Sequence, residues 1–329
     1  MQEYQEHRRA APAQKHRPLI VLTGPTAVGK TKLSLSLAKA VNGEIISADS
    51  MQVYRGMDIG TAKIRPEERE GVPHHLIDIL EPEEEFNVVS FQKLAGQAME
   101  DIYSRGKIPV LVGGTGFYIQ AVTNAVDFTE SETDTEYRRQ LERFAAEYGA
   151  AALHKKLEQA DPQAAAAIHE NNIRRTIRAL EFHRQTGGRI SEHNAVQRSH
   201  DSPFELYYFV LTAPRETLYQ RINQRVDEML AAGLAEEVRR LRERGCARSL
   251  VSMQGLGYRE LYAWLEGELP LEAAAEQIRQ NTRHFAKRQL TWFRREKQVI
   301  WLDKSEFDYD DGKILAELCG RLPQGWCVS

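Results

Sequence analysis

Short runs of apolar residues that alternate with helical patterns dominate the first third of the chain. The segments 19–22, 44–47 and 108–112 read as buried strands, and the patterns at 32–41 and 90–105 read as helices. Strands that are apolar throughout and that alternate with helices are typical of a parallel sheet with helices on both faces. The first third therefore predicts an α/β fold.

The pattern changes near residue 127. Residues 133–185 are helical in pattern and contain no strand candidate, whereas 205–211 again reads as a strand of the sheet. Helices follow to about residue 292, the segment 298–302 reads as a last strand, and a short helix is expected at 314–322. The helical block is therefore predicted to be inserted into the α/β domain rather than appended to it.

Four segments follow from this reading. Residues 1–17 are expected to form a flexible leader, and 18–126 plus 203–303 to form the α/β core, whose C-terminal part is helical. Residues 127–198 form the predicted helical insertion, and 304–329 form a tail with a short helix.

Composition narrows the class of protein. The 329 residues carry 44 Lys and Arg against 47 Asp and Glu, a formal net charge of −3, which is ordinary for a globular protein. No uncharged apolar run approaches the roughly 20 residues that cross a bilayer, and residues 1–18 lack the apolar block of a secretory signal. We expect a cytoplasmic monomer that contacts no membrane.

The three cysteines, Cys246, Cys319 and Cys327, show no spacing typical of a zinc site or of a disulfide framework. A reducing compartment without disulfides is therefore expected. The histidines are scattered apart from His74 and His75, so no metal triad is predicted.

The segment 24–31 matches the phosphate-loop pattern G-x-x-x-x-G-K-[ST]. Its backbone N–H groups and the start of the next helix can hold phosphate oxygens, Lys30 adds a cation, and the Thr31 hydroxyl suits Mg²⁺. The alternative is a plain glycine turn. The motif indicates a di- or triphosphate but no reaction. The predicted diphosphate-binding residues of the loop are Gly24, Pro25, Thr26, Ala27, Val28, Gly29, Lys30 and Thr31.

Two further candidates follow predicted strands. Asp49 comes after 44–47 and Thr115 lies in the glycine-rich segment 113–116, so both are expected at the edge of the sheet where the phosphate loop opens. Asp49 is a candidate general base, with a turn or capping role as the alternative. Arg221 and Arg225 are four apart on one predicted helix and suit a diphosphate, although a solvated helix face is equally compatible.

A basic segment precedes the last strand. Residues 274–300 contain seven Lys and Arg against two Asp and Glu, and Phe285, Trp292 and Phe293 lie among them. Cations beside aromatic rings suit a nucleic acid, while an amphipathic helix with core aromatics is the alternative. Arg174, Arg175 and Arg178 could form a second cationic edge in the insertion.

Together these motifs resemble one family, the tRNA dimethylallyltransferases, also called tRNA isopentenyltransferases, in their bacterial form. Their order along the chain makes coincidence implausible, and they extend over about 19–302. The matching motifs are GPTAVGKT (24–31), SADSMQVYRGMDIGTAK (47–63), PHHLIDI (73–79), GGTGFY (113–118), RRTIRALE (174–181), QRINQRVDEML (220–230), QGLGYRE (254–260) and KRQLTWFR (287–294).

The resemblance implies a P-loop NTPase-like fold and transfer of a dimethylallyl group from dimethylallyl diphosphate to tRNA. The acceptor would be the exocyclic amine of the adenosine at position 37, next to the anticodon, flipped out of its loop. The phosphate loop, Arg221, Arg225 and Mg²⁺ on Thr31 would hold the diphosphate, Asp49 would act as base, and Thr115 would bond near the amine or the bridging oxygen. The implied tRNA contacts are Asp49, Ser50, Met51, Gln52, Thr115, Arg138, Arg174, Arg175, Arg178, Gln254, Gly257, Tyr258, Arg259, Lys287, Arg288, Gln289, Trp292 and Arg294.

Other functions remain compatible with parts of the pattern. A small-molecule phosphate-loop kinase or an adenylate prenyltransferase would share the loop and the acidic end of the second strand, but neither needs the basic segment. A nucleotide-gated RNA-binding switch would need the basic segment but would form no bond.

Overall fold

The computed structural model describes residues 16–126, 135–199 and 201–327. The chain divides into two compact units: one is formed by residues up to Thr123 and from Pro203 onward, and the second is Asn124–Ser202. The second unit interrupts the first in sequence, close to the expected 127–198. Residues 1–15 of the predicted leader lie outside the described residues, whereas Arg17 already belongs to a strand.

The first unit contains a six-stranded sheet in which every neighbouring pair is parallel. The spatial order β3-β2-β4-β1-β5-β6 confirms the predicted α/β class. The strands are β1 (Arg17–Thr23), β2 (Gly43–Ala48), β3 (His74–His75), β4 (Ile108–Gly113), β5 (Phe204–Thr212) and β6 (Val299–Asp303).

Helices cover both faces of this sheet. In the first unit they are α1 (Lys30–Ala40), α2 (Val88–Ser104), α3 (Gly116–Thr123), and, after the second unit, α9 (Arg215–Ala231), α10 (Leu234–Glu243), α11 (Tyr258–Leu265), α12 (Leu271–Phe293) and α13 (Asp311–Gly320). The second unit contains α4 (Thr135–Tyr148), α5 (Ala150–Ala160), α6 (Pro162–Ala167), α7 (Ile173–Thr186) and α8 (Ile190–Ser199). Short 3-10 turns occur at Pro66–Arg69, Ser252–Gln254 and Lys304–Phe307.

Alternation along β1 explains the two apolar layers. Leu19 and Val21 pack into the core on one face of the sheet, and Ile20 and Leu22 pack into the core on the other. All four are fully buried because successive side chains of a strand point to opposite faces and helices cover both. β1 pairs with β4 and β5, so the loop that follows it opens in the middle of the sheet.

β3 was not predicted from the sequence. It has two residues, His74 and His75, which pair with Ile45 and Ile46 at the edge of the sheet. A strand of this length shows no hydrophobic period, so pairing alone defines it.

The second unit has its own small core. Leu153 and Leu157 of α5 are fully buried and pack with Leu141 of α4 and with Ile177 and Leu180 of α7. This confirms the predicted helical character of the block for the described residues.

The expectation that the cysteines form no disulfide is wrong for one pair. Cys319 and Cys327 are bonded, with their Cα atoms 5.9 Å apart. The chain turns back after α13, so that Cys327 lies beside Cys319 at the end of that helix. The centre of the neighbouring Trp326 ring lies 5.2 Å from that of the Tyr207 ring on β5. Cys246 is a buried free thiol. No helix in the described ranges is both long and apolar enough to cross a bilayer.

Candidate active site

The phosphate loop joins β1 to α1 in a backbone conformation that its glycines permit. Gly24 has φ 146°, and a Cβ there would lie 2.4 Å from the Leu211 carbonyl oxygen. Ala27 and Gly29 also have positive φ values, 63° and 87°. These residues turn the chain so that the first N–H groups of α1 face the space beyond the sheet edge, an arrangement suited to an anion.

Lys30 is held inside this loop. Its ammonium donates to the carbonyl oxygens of Gly24 and Pro25, both at 2.9 Å. Burial, assisted by the nearby Arg225 guanidinium, lowers the pKa of Lys30 from 10.5 to about 7, and the Asp49 carboxylate opposes the shift. Burial likewise lowers the pKa of Arg225, with Asp49 and Glu228 opposing. The site therefore holds two partly buried basic side chains whose charged forms are disfavoured by burial and favoured by Asp49.

Asp49 and Thr115 meet at the ends of neighbouring strands β2 and β4. The Asp49 Oδ1 atom accepts a 2.9 Å hydrogen bond from the Met51 N–H, and the Ser50 N–H donates to the Thr115 hydroxyl at 3.3 Å. The Thr115 N–H donates to the Ala48 carbonyl. The turn role left open for Asp49 is thus present, while its Oδ2 atom makes no hydrogen bond to any described residue.

A cavity of about 440 Å³ in the first unit connects these groups. One end is lined by the phosphate loop, the middle by Asp49, Thr115 and Arg225, and part of the wall is apolar. The apolar lining includes Ile222, Val226, Met229, Ile278 and Phe285. The predicted site residues that line the cavity are Thr26, Ala27, Gly29, Lys30, Thr31, Asp49, Ser50, Met51, Gln52, Thr115, Arg225, Gln254, Gly257, Tyr258, Arg259, Arg288 and Gln289.

Arg221 does not line the cavity with Arg225. Its guanidinium carbon lies 4.6 Å from the centre of the Tyr309 ring. Residues four apart on a helix are neighbours, but they need not point in one direction, and Tyr309 in the C-terminal segment gives Arg221 an aromatic face to stack on. The sequence could not place that ring beside α9.

Glu237 of α10 supports the wall opposite the phosphate loop. Its carboxylate accepts hydrogen bonds from the N–H groups of Asp58, Ile59 and Gly60 at 2.8–3.2 Å, and from the Tyr258 hydroxyl at 2.6 Å. This residue was missed from the sequence. The sequence signal that could have identified Glu237 is its position on the apolar face of α10, between Leu234 and Leu241. A charged residue in such a position is buried only when it has hydrogen-bond partners.

Glu237 holds the loop that orients Gln52. The Gln52 side chain accepts from the Ser47 hydroxyl at 3.0 Å and donates to the Thr61 carbonyl at 3.2 Å. Thr61 directly follows the three N–H groups that Glu237 binds. The segment Asp49 to Gln52 is therefore braced from β2 and from the 58–61 loop.

The predicted RNA contacts of the 254–259 segment have structural partners. Tyr258 is 1% exposed, and its hydroxyl is bonded to Glu237. Gly257 precedes α11 with φ 91°, and its N–H donates to Glu260. Gln254 donates to the Arg248 carbonyl, and Arg259 forms an ion pair with Glu260 at 2.6 Å. These contacts build the cavity wall and leave Gln254 and Arg259 partly accessible.

The basic segment is divided along α12. Arg279 is paired with Asp227 and Glu276, and Arg283 is bonded to Asn223 and Glu276. Lys287, Arg288, Arg294 and Arg295 are exposed and form no ion pair with any described residue. We call these four residues the open basic face.

Gln289 and Trp292 lie on the other side of α12. Gln289 is 6% exposed, and both ends of its amide are bonded to backbone. The Trp292 ring packs against Gly116, where a Cβ would come within 2.2 Å of it, and it contacts Phe117 edge-on. These contacts give no support to the expectation that Gln289 binds tRNA directly.

The arginines of the second unit differ from one another. Arg138 forms two hydrogen bonds, of 2.9 and 2.7 Å, to Glu181, which is 1% exposed. Arg174, Arg175 and Arg178 are exposed on α7. Arg138 thus neutralises a buried carboxylate, whereas the α7 arginines present charge at the surface of this unit.

Comparison with known proteins identifies the family of this chain. A family model described as IPP transferase matches residues 52–296, and one described as isopentenyl transferase matches 18–78. A tRNA dimethylallyltransferase of Lachnoclostridium phytofermentans is 61% identical over 94% of this chain and 98% of its own length.

Solved structures are similar as well. The full-length tRNA isopentenylpyrophosphate transferase of Bacillus halodurans superposes with a TM-score of 0.69 at 49% identity, covering 92% of this chain and 96% of that one. A eukaryotic dimethylallyltransferase acting on tRNA gives a TM-score of 0.78 at 32% identity, covering 93% of this chain and 80% of that one. With a family model that matches residues 52–296 and a relative that is 61% identical over 94% of its length, the chain belongs to the tRNA dimethylallyltransferase family.

Proposed function

We propose that this cavity transfers the dimethylallyl group of dimethylallyl diphosphate to the exocyclic amine of the adenosine at tRNA position 37. The observation that carries the proposal is the pair of partly buried basic side chains, Lys30 and Arg225, beside Asp49 at one end of the cavity. A diphosphate supplies the negative charge that these cations lack. That the transferred group is dimethylallyl and that the acceptor is tRNA is inferred from the names of the similar proteins.

The phosphate-loop end holds the diphosphate in this proposal. Its N–H groups, Lys30 and Arg225 bind the ground-state phosphates and gain strength as negative charge grows on the leaving oxygen. The apolar wall formed by Ile222, Val226, Met229, Ile278 and Phe285 receives the allyl chain and keeps water from it. The cavity thus provides different surroundings for the two halves of the substrate.

Asp49 accepts the proton of the amine. The amine nitrogen forms a bond to the first carbon of the allyl group while the bond from that carbon to the diphosphate oxygen breaks. The diphosphate leaves with the electron pair, and the extra proton on nitrogen passes to the Asp49 Oδ2 atom. The Met51 N–H bond to Oδ1 keeps the carboxylate turned so that Oδ2 stays available.

The donors present fit Mg²⁺ held largely by the substrate. Thr31 is exposed at the start of α1, lines the cavity, and its hydroxyl makes no hydrogen bond within the described part of the chain. The described residues contain no group of three or more His, Cys, Asp or Glu that could hold a metal ion. Mg²⁺ commonly binds through one protein oxygen, phosphate oxygens and water. Bound there, it would neutralise charge on the diphosphate.

The open basic face is the proposed contact for the anticodon stem-loop. Lys287, Arg288, Arg294 and Arg295 form no ion pair with any carboxylate in the described part of the chain, and Arg288 also lines the cavity. Phosphates bound at these residues would bring a flipped base towards Asp49. Arg174, Arg175 and Arg178 are proposed as further contacts from the second unit.

We also propose that the enzyme works as a cytoplasmic monomer. The cytoplasmic location rests on the tRNA substrate alone, since the bond between Cys319 and Cys327 removes the argument from cysteine spacing.

The function is tested directly with unmodified anticodon stem-loop RNA, dimethylallyl diphosphate and Mg²⁺. Mass measurement of the RNA should show the gain of one dimethylallyl group, and nuclease mapping should locate it at position 37. A mapped gain at another nucleotide would refute the proposed acceptor. ATP-dependent phosphorylation of a small nucleoside, or tight RNA binding with no mass gain, would support the kinase and the switch respectively.

Asp49 is tested by comparing Asp49→Asn with Asp49→Ala. Asparagine keeps the oxygen that accepts from the Met51 N–H but cannot take a proton, whereas alanine loses both functions. We expect both variants to slow single-turnover transfer by about 10²- to 10⁴-fold. Asp49→Ala should also lose about 1 kcal/mol of stability. An Asp49→Asn enzyme that works at full rate would leave Asp49 with only its turn role.

The lowered pKa of Lys30 predicts that the protein takes up a proton when it binds the diphosphate. The pKa near 7 leaves Lys30 largely neutral above that pH in the free protein, and a bound anion restores the charged form. At about pH 8.5, calorimetry in buffers of different ionisation enthalpy should detect uptake approaching one proton, and affinity should fall as pH rises. Lys30→Arg stays charged and should abolish the uptake. Equal uptake in both proteins would exclude Lys30 as its source.

The open basic face predicts the salt dependence of RNA binding. Neutralising Lys287 and Arg294 to glutamine should weaken binding and reduce the slope of log affinity against log salt by about one to two units. Lys313 and Arg321 on and after α13 are ion-paired, so the same change there is the matched control. Dimethylallyl diphosphate affinity should not change in either variant. Unchanged RNA affinity at every salt concentration would show that this face is structural.

A further inference from the structure

Gln289 connects two loops of the cavity through one side chain. Its Oε1 atom accepts a 2.9 Å hydrogen bond from the N–H of Thr26 in the phosphate loop. Its Nε2 atom donates a 2.8 Å hydrogen bond to the carbonyl oxygen of Gly114, next to Thr115. The first loop follows β1 and the second follows β4, so the amide spans the ends of two neighbouring strands.

We propose that Gln289 is a positioning residue that fixes the separation between the phosphate loop and the Thr115 loop. It thereby sets the distance between the diphosphate and the groups that face the amine. This inference rests on the roles proposed above for the phosphate loop and Asp49. Gln289 itself contacts no reacting atom in the proposal, because backbone groups already occupy both ends of its amide.

The packing around Gln289 is specific to this arrangement. A Cβ at Gly114 would lie 2.2 Å from the Gln289 Nε2 atom. The φ of Gly114 lies outside the positive range, so an alanine there meets a steric conflict with Gln289 and no backbone penalty. An alanine at Gly114 would therefore force the Gln289 side chain to move from its bonded position.

The second bonded loop leads directly to Asp49. Thr115 follows Gly114, and its hydroxyl accepts from the Ser50 N–H beside Asp49. The first bonded loop leads to the cations, because Thr26 follows Gly24 and Pro25, whose carbonyl groups hold Lys30. The Gln289 amide therefore connects the loop beside Asp49, the proposed general base, to the loop that holds Lys30.

The energetic reason for such a link lies in the loops. Both are rich in glycine, which loses more conformational freedom on ordering than other residues. A reaction between two bound groups is sensitive to their separation, and a displacement of about 1 Å can cost about 10²-fold in rate. A buried glutamine with both amide ends bonded restrains the two loops at once.

The first test compares Gln289→Met with Gln280→Met. Methionine has a similar length but forms neither hydrogen bond, and Gln280 is exposed on the same helix. We expect Gln289→Met to slow single-turnover transfer at saturating substrates by about 10- to 100-fold, with RNA affinity within about twofold of the unchanged protein. Gln280→Met should match the unchanged protein in both.

The second test is a double-mutant cycle between Gly114→Ala and Gln289→Ala. Gly114→Ala alone should displace Gln289 and slow transfer, while in the Gln289→Ala background the added methyl group has space. We expect the double variant to be no slower than Gln289→Ala alone, since both changes act through one contact. This cycle does not use Gln289→Met, so it still tests the contact between Gly114 and Gln289 if the methionine variant folds poorly.

Three results would overturn the inference. Full single-turnover rate in Gln289→Met would leave the residue with a stabilising role only. A loss of RNA affinity of about tenfold or more, with an unchanged rate at saturation, would make it a direct RNA contact. Strictly additive effects in the cycle would separate Gly114 from Gln289. Failure of the underlying roles is seen separately, as a fully active Asp49→Asn enzyme or as unchanged diphosphate affinity in Lys30→Ala.

Discussion

The partial burial of two basic side chains, Lys30 and Arg225, is the constraint on which the site depends. Lys30 is surrounded by backbone carbonyls and by Arg225, and Asp49 is the carboxylate that opposes the fall in the pKa of both cations. Burial disfavours the charged forms of both side chains, and a bound anion would restore the charged form of Lys30. The parallel sheet makes this possible, because β1 delivers the phosphate loop to the same edge at which β2 delivers Asp49.

Glycine-rich loops at that edge cannot hold their own shape, and buried polar side chains from neighbouring helices hold them. Glu237 binds three consecutive N–H groups of the 58–60 segment, and Gln289 binds the phosphate loop and the Thr115 loop. Each lies on the apolar face of its helix, with hydrophobic neighbours one turn away. Their shared feature is that a buried polar side chain on a helix forms hydrogen bonds to the backbone of loops that line the cavity.

The sequence predicted those features whose pattern lies within a few neighbouring residues. The apolar strands, the phosphate loop and the helical block have patterns within a few residues, and the structure places them where the patterns predict. β3 exists only through pairing with β2, the bond between Cys319 and Cys327 depends on the chain reversing after α13, and Arg221 turns to a ring from another segment. Gln289 was grouped with its basic neighbours because linear spacing gives no indication of which side of a helix faces a loop. These features are tertiary contacts, which local patterns do not contain.

Ion pairs distinguish the arginines in the first half of α12 from the basic residues that follow them, and composition alone does not show this difference. Arg279 and Arg283 belong to the basic segment of the sequence, but Asp227, Asn223 and Glu276 already bind them, so they join α12 to α9 and to its own first turns. Releasing such a cation to a phosphate would first require breaking a bond that the folded protein already makes. The open basic face forms no ion pair within the described residues, and it begins on α12 and continues past the end of that helix. A charged surface is best identified as a binding surface by the counter-charges it lacks, and the same argument applies to Lys30 and Arg225 inside the cavity.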